Sequence, residues 1–235
     1  MTHKHVIKEL KAVSSPEKAE HSKRFFRTGP GEYGEGDQFL GITVPEQRKI
    51  AKKYKSISLS EAEILLQNPF HEVRLTVLML LVYKLEKADE ELSEEIFNLY
   101  MSNLQYVNNW DLVDSSCRFI IGKYLEHKEK DLLFDMARSN DLWEKRIAMI
   151  SCYHFIHNRH EFGDALIIAE ILVNDDHDLI QKAVGWMLRE IGNVDQELEE
   201  EFLRKHYKQM PRTMLRYAIE KFEEPLRKKY LHGEI

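Results

Sequence analysis

Apolar residues recur along this chain at three- and four-residue intervals and almost never alternate, so the pattern predicts helix nearly throughout and no sheet. Five segments carry the strongest period: "HEVRLTVLMLLV", "NNWDLVDSSCRF", "WEKRIAMISCYHF", "IQKAVGWMLREI" and "TMLRYAIEKF". Each follows an amphipathic helix, visible as "SEAEILLQ", "SEEIFNLYM", "EKDLLFDMA", "DALIIAEIL" and "QELEEEFLRKHY". Start signals agree with this reading. Ser15 caps a helix with Pro16 at its first position. Ser60 and Glu63 form a capping box, Asn68 and Pro69 repeat the cap-then-proline pattern, and Asp141 pairs with Glu144.

The helices also repeat. Aligned, the five segments place Arg74, Trp110, Arg146, Lys182 and Arg216 at one position, in three steps of 36 residues and one of 34. That period predicts an all-α, right-handed helical-repeat solenoid, one helix pair per repeat, whose second helices line a concave groove. The whole chain, 1–235, reads as a single solenoid domain, with N-terminal helices over 1–56 and about five helix pairs over 57–225. Along the groove Trp110, Arg146 and Lys182 are expected to form one row, and Asp114, Ile150 and Trp186 the next.

Composition narrows the classes. The net charge of −6 argues mildly against a nucleic-acid partner. Yet residues 1–56 carry 12 Lys/Arg against 7 Asp/Glu, and acidic runs such as "EKADEELSEE" and "DQELEEE" read as solvated outer faces, so a local basic surface stays possible. Cys117 and Cys152 read as reduced, buried thiols. The longest apolar run, "LTVLMLLVY" at 75–83, is too short to span a bilayer, and the N-terminus lacks a signal-peptide core. A soluble, cytoplasmic monomer is the expectation.

The stretch "NNWDLVDSS", 108–116, interrupts an otherwise apolar helix with two carboxylates and an indole. Trp110 and Asp114, four apart, share a face; Asp111 and Asp114, three apart, are also neighbours. Three readings compete: local capping and packing, a metal site, or a solvent-facing anionic spot framed by aromatics. The metal reading is weak because no His stands at ligand spacing, His127 and His154 being isolated. In the third reading Trp110 and Trp186 are walls, Asp114 the charge, and Arg146 and Lys182 the neighbouring cations. Asp111 reads as structural. Elsewhere, "GPGEYGEGDQFLGI" at 29–42 holds five of the ten glycines and matches GxGxxG at Gly29, Gly31 and Gly34. It follows a helix rather than a strand and carries Glu32, Glu35 and Asp37, so it reads as a flexible loop and not a dinucleotide cradle. His3 and His5 fall in a terminus expected to be mobile, His157 and His160 on the surface, and Met149, Met187, Met210 and Met214 in the core.

Taken together, "FLGITVPEQRK", "WDLVDSS", "LWEKRIAMI", "QKAVGWMLREIG" and "MPRTMLRYAIEKF" resemble, in order and over about residues 8–225, the AlkD-type DNA alkylation-repair glycosylases, which are built from HEAT-like repeats. The resemblance implies a duplex-DNA substrate, no cofactor and no metal. It implies excision of positively charged N3- and N7-alkylated purines, such as 3-methyladenine and 7-methylguanine, in base excision repair, with the lesion read while still stacked. Asp114 matches the family's catalytic aspartate, Trp110 and Trp186 its two indoles, and Arg146 and Arg189 its DNA-contacting arginines. Lys182, Arg212 and Arg216 would add phosphate contacts. Phe25 stands where the family pattern has Tyr, losing a hydroxyl, and the 29–38 loop is longer. Two other classes stay open: a HEAT-like DNA-binding paralogue without catalysis, and a protein-interaction scaffold.

Overall fold

The computed structural model describes residues 1–235 and is all-α. Its helices are α1 (His3–Ala12), α2 (Pro16–Phe25), α3 (Val44–Lys53), α4 (Leu59–Leu66), α5 (His71–Leu85), α6 (Glu90–Ser102), α7 (Trp110–Asp114), α8 (Asp131–Ala137), α9 (Leu142–Arg159), α10 (Gly163–Leu172), α11 (Asp178–Val194), α12 (Gln196–His206), α13 (Arg212–Ala218) and α14 (Glu224–His232). The one β contact is an isolated bridge between Gln38 and Phe70. Nine of the ten predicted segments fold chiefly as helix, and "NNWDLVDSSCRF" does so as α-helix only over Trp110–Asp114; α14 lies mostly beyond the predicted repeats. No helix is long and apolar enough to cross a membrane.

Start signals held where a side chain reaches the right amide. Ser15 accepts from Lys18 N–H, and Asp141 accepts from the amides of Trp143 and Glu144 at 2.8 and 3.0 Å. Two starts move. The α4 cap is Ser58, which accepts from Glu61 N–H, while Ser60 only bonds the Ser58 hydroxyl. The α5 start falls at His71 because Asn68 Oδ1 takes the Phe70 amide at 3.0 Å in a local turn ahead of the helix.

The chain divides into two compact units, Met1–Ile120 and Ile121–Ile235. In the first, α5 is the hub: α3, α4, α6 and α7 pack on it, and α1 packs on α3 and α4. Every residue of α5 from His71 to Leu81 is buried, including His71, Glu72, Arg74 and Thr76. Those polar groups need partners, since an unpaired buried charge is costly. Thr76 donates to Gln47 of α3 at 3.4 Å, and the glycine-rich loop supplies the partners of Glu72 and Arg74. Glu72 accepts from the backbone amides of Leu40, Gly41 and Ile42 at 2.9, 2.7 and 3.3 Å. Arg74 bonds Asp37 at 2.6 Å. The expectation of a flexible loop is therefore corrected for 37–42, which is buried except at Gln38 and tied by α5. Gly41, at φ +74°, passes so close to α2 that a Cβ would stand 2.1 Å from the Ser15 carbonyl oxygen. Within the exposed half of the loop, Glu32 and Glu35 accept from the amides of Gly29 and Gly31. The N-terminus is also tied down, contrary to expectation: His3 bonds Glu61 through its amide and its ring at 2.6 Å.

In the second unit the second helices of successive pairs, α9, α11 and α13, pack in series, with α8 and α10 on α9 and α10 and α12 on α11. Here the predicted register holds: Arg146, Lys182 and Arg216 each stand four residues after the first residue of their helix, Leu142, Asp178 and Arg212. The methionines expected in the core, Met149, Met187, Met210 and Met214, are buried, and both cysteines are buried free thiols.

Candidate functional site

The segment 108–116 folds as the short helix α7. Asn109 caps it, its Oδ1 accepting from the Trp110 amide at 2.9 Å. The helix stops after five residues, where the Ser116 amide turns to the Val113 carbonyl at 3.1 Å and two serine hydroxyls bond back to the helix. Ser115 Oγ donates to the Asp111 carbonyl at 2.6 Å and Ser116 Oγ to the Leu112 carbonyl at 2.5 Å. Such back-bonding slightly destabilises and bends helices. A single π-helical turn, Arg118–Gly122, follows in place of the continuous helix that the period predicts. Leu112 and Val113 are buried, whereas Trp110 and Asp114 are half-buried on the other side of the turn.

Trp110 sits in an aromatic cluster from α2 and the residue after it. Phe26 stacks on it, with centroids 5.6 Å apart, and Phe25 meets it edge-on at 5.9 Å. Phe25 itself is 57% exposed. Behind them Phe26 and Phe39 cover the His71 ring at 4.7 and 5.0 Å. That ring bonds Asp111 Oδ2 through Nε2 at 2.8 Å and Asp37 Oδ2 through Nδ1 at 3.1 Å. Asp111 thus does the structural job read from its sequence; Asp114, three residues further on, is half-buried. Burial alone would lower the His71 pKa; the charges and hydrogen bonds of Asp111 and Asp37 outweigh it and bring it up to about 9. Burial raises Asp37, but the His71 hydrogen bond and the Arg74 cation hold it below the usual carboxylate range.

The second unit holds the remaining candidates. Trp186 is half-buried, and its indole N–H donates to Glu190 at 2.7 Å. Glu190 also takes His157 Nε2 at 2.9 Å and Asn193 at 3.2 Å. Tyr153 lies against both rings, 4.2 Å from His157 and 6.1 Å from Trp186. So His157 is not the bland surface residue expected but part of the shell that holds this indole. Lys182 pairs with Asp178 at 2.6 Å, Arg189 with Glu220 and Glu190, and Arg212 donates to the Leu231 carbonyl at 2.9 Å. Arg216 is exposed. Arg146 is different: it is 5% exposed and donates to the Leu179 carbonyl. Ile150 is fully buried. The expected rows are therefore not uniform. The α9 positions Arg146 and Ile150 are buried, whereas the equivalent α11 positions Lys182 and Trp186 are half open. No group of three or more His, Cys, Asp or Glu side chains is arranged to hold a metal ion.

Sequence reasoning missed Phe26, His71 and Asp37 behind Trp110, and Glu190 behind Trp186. A signal was present for His71: it opens a helix that is apolar on every face, and a charged residue in such a helix must be answered by something outside it.

The sequence model of a family described as DNA alkylation repair enzyme matches residues 6–222. A solved structure described as a predicted DNA alkylation repair enzyme from Enterococcus faecalis shares the fold. Its TM-score is 0.68 at 16% identity, covering 90% of this chain and 97% of that one. No curated protein matches in sequence.

Proposed function

The chain belongs to the DNA alkylation repair enzyme family, and from that premise we propose that it is a DNA glycosylase. It hydrolyses the N-glycosidic bond of positively charged N3- and N7-alkylated purines in duplex DNA. The observation that carries this reading is the exposure pattern of α7. Trp110 and Asp114, four residues apart, are half open while the residues between them on the inner side are buried. The arrangement suits a substrate that brings a cation to a carboxylate beside an aromatic face.

The chemistry asks for little else. Alkylation at N3 or N7 gives the purine a positive charge, so it leaves neutral and needs no general acid. The charge passes to the deoxyribose as an oxocarbenium-like cation, which water attacks at C1′. A fixed carboxylate beside that carbon stabilises the transition state more than water does, because its orientation is already set. Asp114 is that carboxylate and orients the water. The indole face of Trp110, four residues before Asp114, favours the cationic sugar by about 0.5–2 kcal/mol, and Trp186 is assigned to the substrate on the family resemblance. Phe25, exposed beside Trp110, offers the DNA an apolar contact in place of a hydroxyl. Lys182, Arg189, Arg212 and Arg216 are assigned to phosphates.

Base release from methylated duplex DNA tests the reading. The wild-type chain is expected to liberate 7-methylguanine. Asp114→Asn should lose on the order of a hundredfold or more in rate while binding the duplex as before. Release by Asp114→Asn at the wild-type rate, or none by the wild type, ends the glycosylase assignment.

A further inference from the structure

α7 cannot hold itself in place. It is five residues long, well under the length at which a helix is stable in water. Its position is set by bonds to its surroundings. At its C-terminal end Ser116 bonds the Tyr100 hydroxyl at 3.0 Å. At its N-terminal end the charged anchor is Asp111, bonded to His71.

His71 is unusually placed for such an anchor. Its side chain is 2% exposed, it opens the central helix α5, and a carboxylate faces each ring nitrogen. Two acceptors on two nitrogens call for the imidazolium, since a neutral ring has only one N–H. The surroundings are built to keep it so. From the loop comes Asp37, whose second oxygen takes Arg74 at 2.6 Å and which Asn109 approaches at 3.5 Å. From α7 comes Asp111. From α5 itself come Arg74 and Glu72, the latter committed to the amides of Leu40, Gly41 and Ile42. Phe26 and Phe39 close the ring off from water, and Phe26 also carries Trp110. One side chain therefore touches the loop, α5 and α7, and shares a covering ring with the indole.

We propose that His71 is the positioning residue of this site: its doubly bonded ring clasps α7 to the 37–42 loop and so fixes Trp110 and Asp114, and loss of one ring proton releases the clasp. When that proton leaves to solvent, one of the two carboxylates faces a ring lone pair in a buried setting, which repels it. The group's pKa is raised in the folded chain, so the clasp is complete below the ordinary imidazole value of 6.5 and fails as pH rises through about 9. The consequence for catalysis rests on the glycosylase reading; the coupling of His71 to Trp110 does not.

The test uses the full chain and two measurements between pH 6 and 9.5. Ring nitrogen shifts follow His71 while the Trp110 indole N–H signal is recorded. In parallel, single-turnover release of 7-methylguanine is measured with enzyme-free loss subtracted. The Trp110 signal should move with the His71 titration, and the release rate should fall along the same limb with duplex affinity unchanged. Asp111→Asn keeps an acceptor for Nε2 and removes the charge. It should lower the His71 midpoint by about one pH unit or more, and carry both the indole signal and the release limb down with it. Asp37→Asn should act in the same direction from the other side of the ring, and it serves if Asp111→Asn does not fold. A purely structural role for these residues would lower the rate equally at every pH. A Trp110 signal that stays flat through the His71 titration overturns the proposal, as does a release limb that stays in place when His71 has moved. A chain that releases no base while Trp110 still follows His71 removes the glycosylase reading and supports the clasp.

Discussion

Two acids of the second unit, half-buried Glu190 and buried Glu199, are driven in opposite directions by their neighbours. Glu190 would be raised by burial, but the donors of Trp186, His157 and Asn193 outweigh that and hold it below the usual carboxylate range. Glu199 has no such donors. It is 1% exposed, its Oε1 has no hydrogen-bond partner, and burial with the nearby Glu200 charge pushes it up to about 9 against the pull of Arg189. The signs give separate expectations. The folded chain keeps the Glu199 proton while the unfolded chain loses it near the ordinary glutamate value of 4.5. Stability from this group is thus present below 4.5 and drains away as pH rises towards 9, at about 1.4 kcal/mol per pH unit. Glu199→Gln should flatten that slope and stabilise the fold at pH 7 by up to about 3 kcal/mol, read from urea unfolding at pH 5, 7 and 9. Parallel slopes for the two proteins would show that the carboxyl is ionised where it sits. Glu190→Ala, by contrast, removes the acceptor that holds the Trp186 indole. It should slow base release on the order of tenfold, since small misplacements of a positioning group are expensive, with duplex affinity little changed.

Elements explain why some of this was legible in the sequence and some was not. The period of apolar residues located nine of the ten predicted helices over most of their length, because a buried stripe leaves a 3.6-residue signature whatever the details. It failed at α7, where the period continues through "SSCRF" but the helix ends as the Ser116 amide turns to the Val113 carbonyl and the Ser116 hydroxyl takes the Leu112 carbonyl in its place. Side-chain competition for the backbone leaves no trace in hydrophobicity. The clasp around His71 was hidden for a related reason: Asp37, His71 and Asp111 are 34 and 40 positions apart, and nothing local marks them as neighbours. Asp114 and Trp110 were readable because their spacing of four is itself the geometry. Close helix contact was legible only in part. Gly185 lies inside α11, where an alanine would normally be preferred, and the reason is α13. A Cβ there would stand 2.4 Å from the Met214 carbonyl oxygen and 2.5 Å from Tyr217 Cβ. Neither is the loose end of a side chain, so Gly185→Ala should force α11 from α13 and cost about 1–3 kcal/mol despite its better helix propensity. A melting temperature at or above that of the wild type would mean that the two helices can separate without loss.

At the scale of the whole molecule the difficulty is charge. A chain of net −6, with +5 in its first 56 residues and −11 in the rest, must meet a polyanion through a few local cations. Affinity for duplex DNA should then fall steeply with salt, each neutralised phosphate adding about 0.9 to the log–log slope. The cations of the second unit are not equally free to do this. Lys182 must leave Asp178, Arg189 must leave Glu220, and Arg146 is enclosed on the Leu179 carbonyl, whereas Arg216 is exposed. Burial therefore sorts residues that the repeat pattern made equivalent. Arg216→Ala should flatten the salt slope by about 0.9 with the melting temperature nearly unchanged. Arg146→Ala should do the reverse, leaving the slope alone and destabilising the fold by about 1–3 kcal/mol as a buried carbonyl loses its donor. Fluorescence titrations of one methylated duplex at four salt concentrations, with melts of the same two variants, separate the cases. A slope flattened by Arg146→Ala and not by Arg216→Ala would put the phosphate at the enclosed guanidinium, and would require the α9–α11 contact to open when DNA binds.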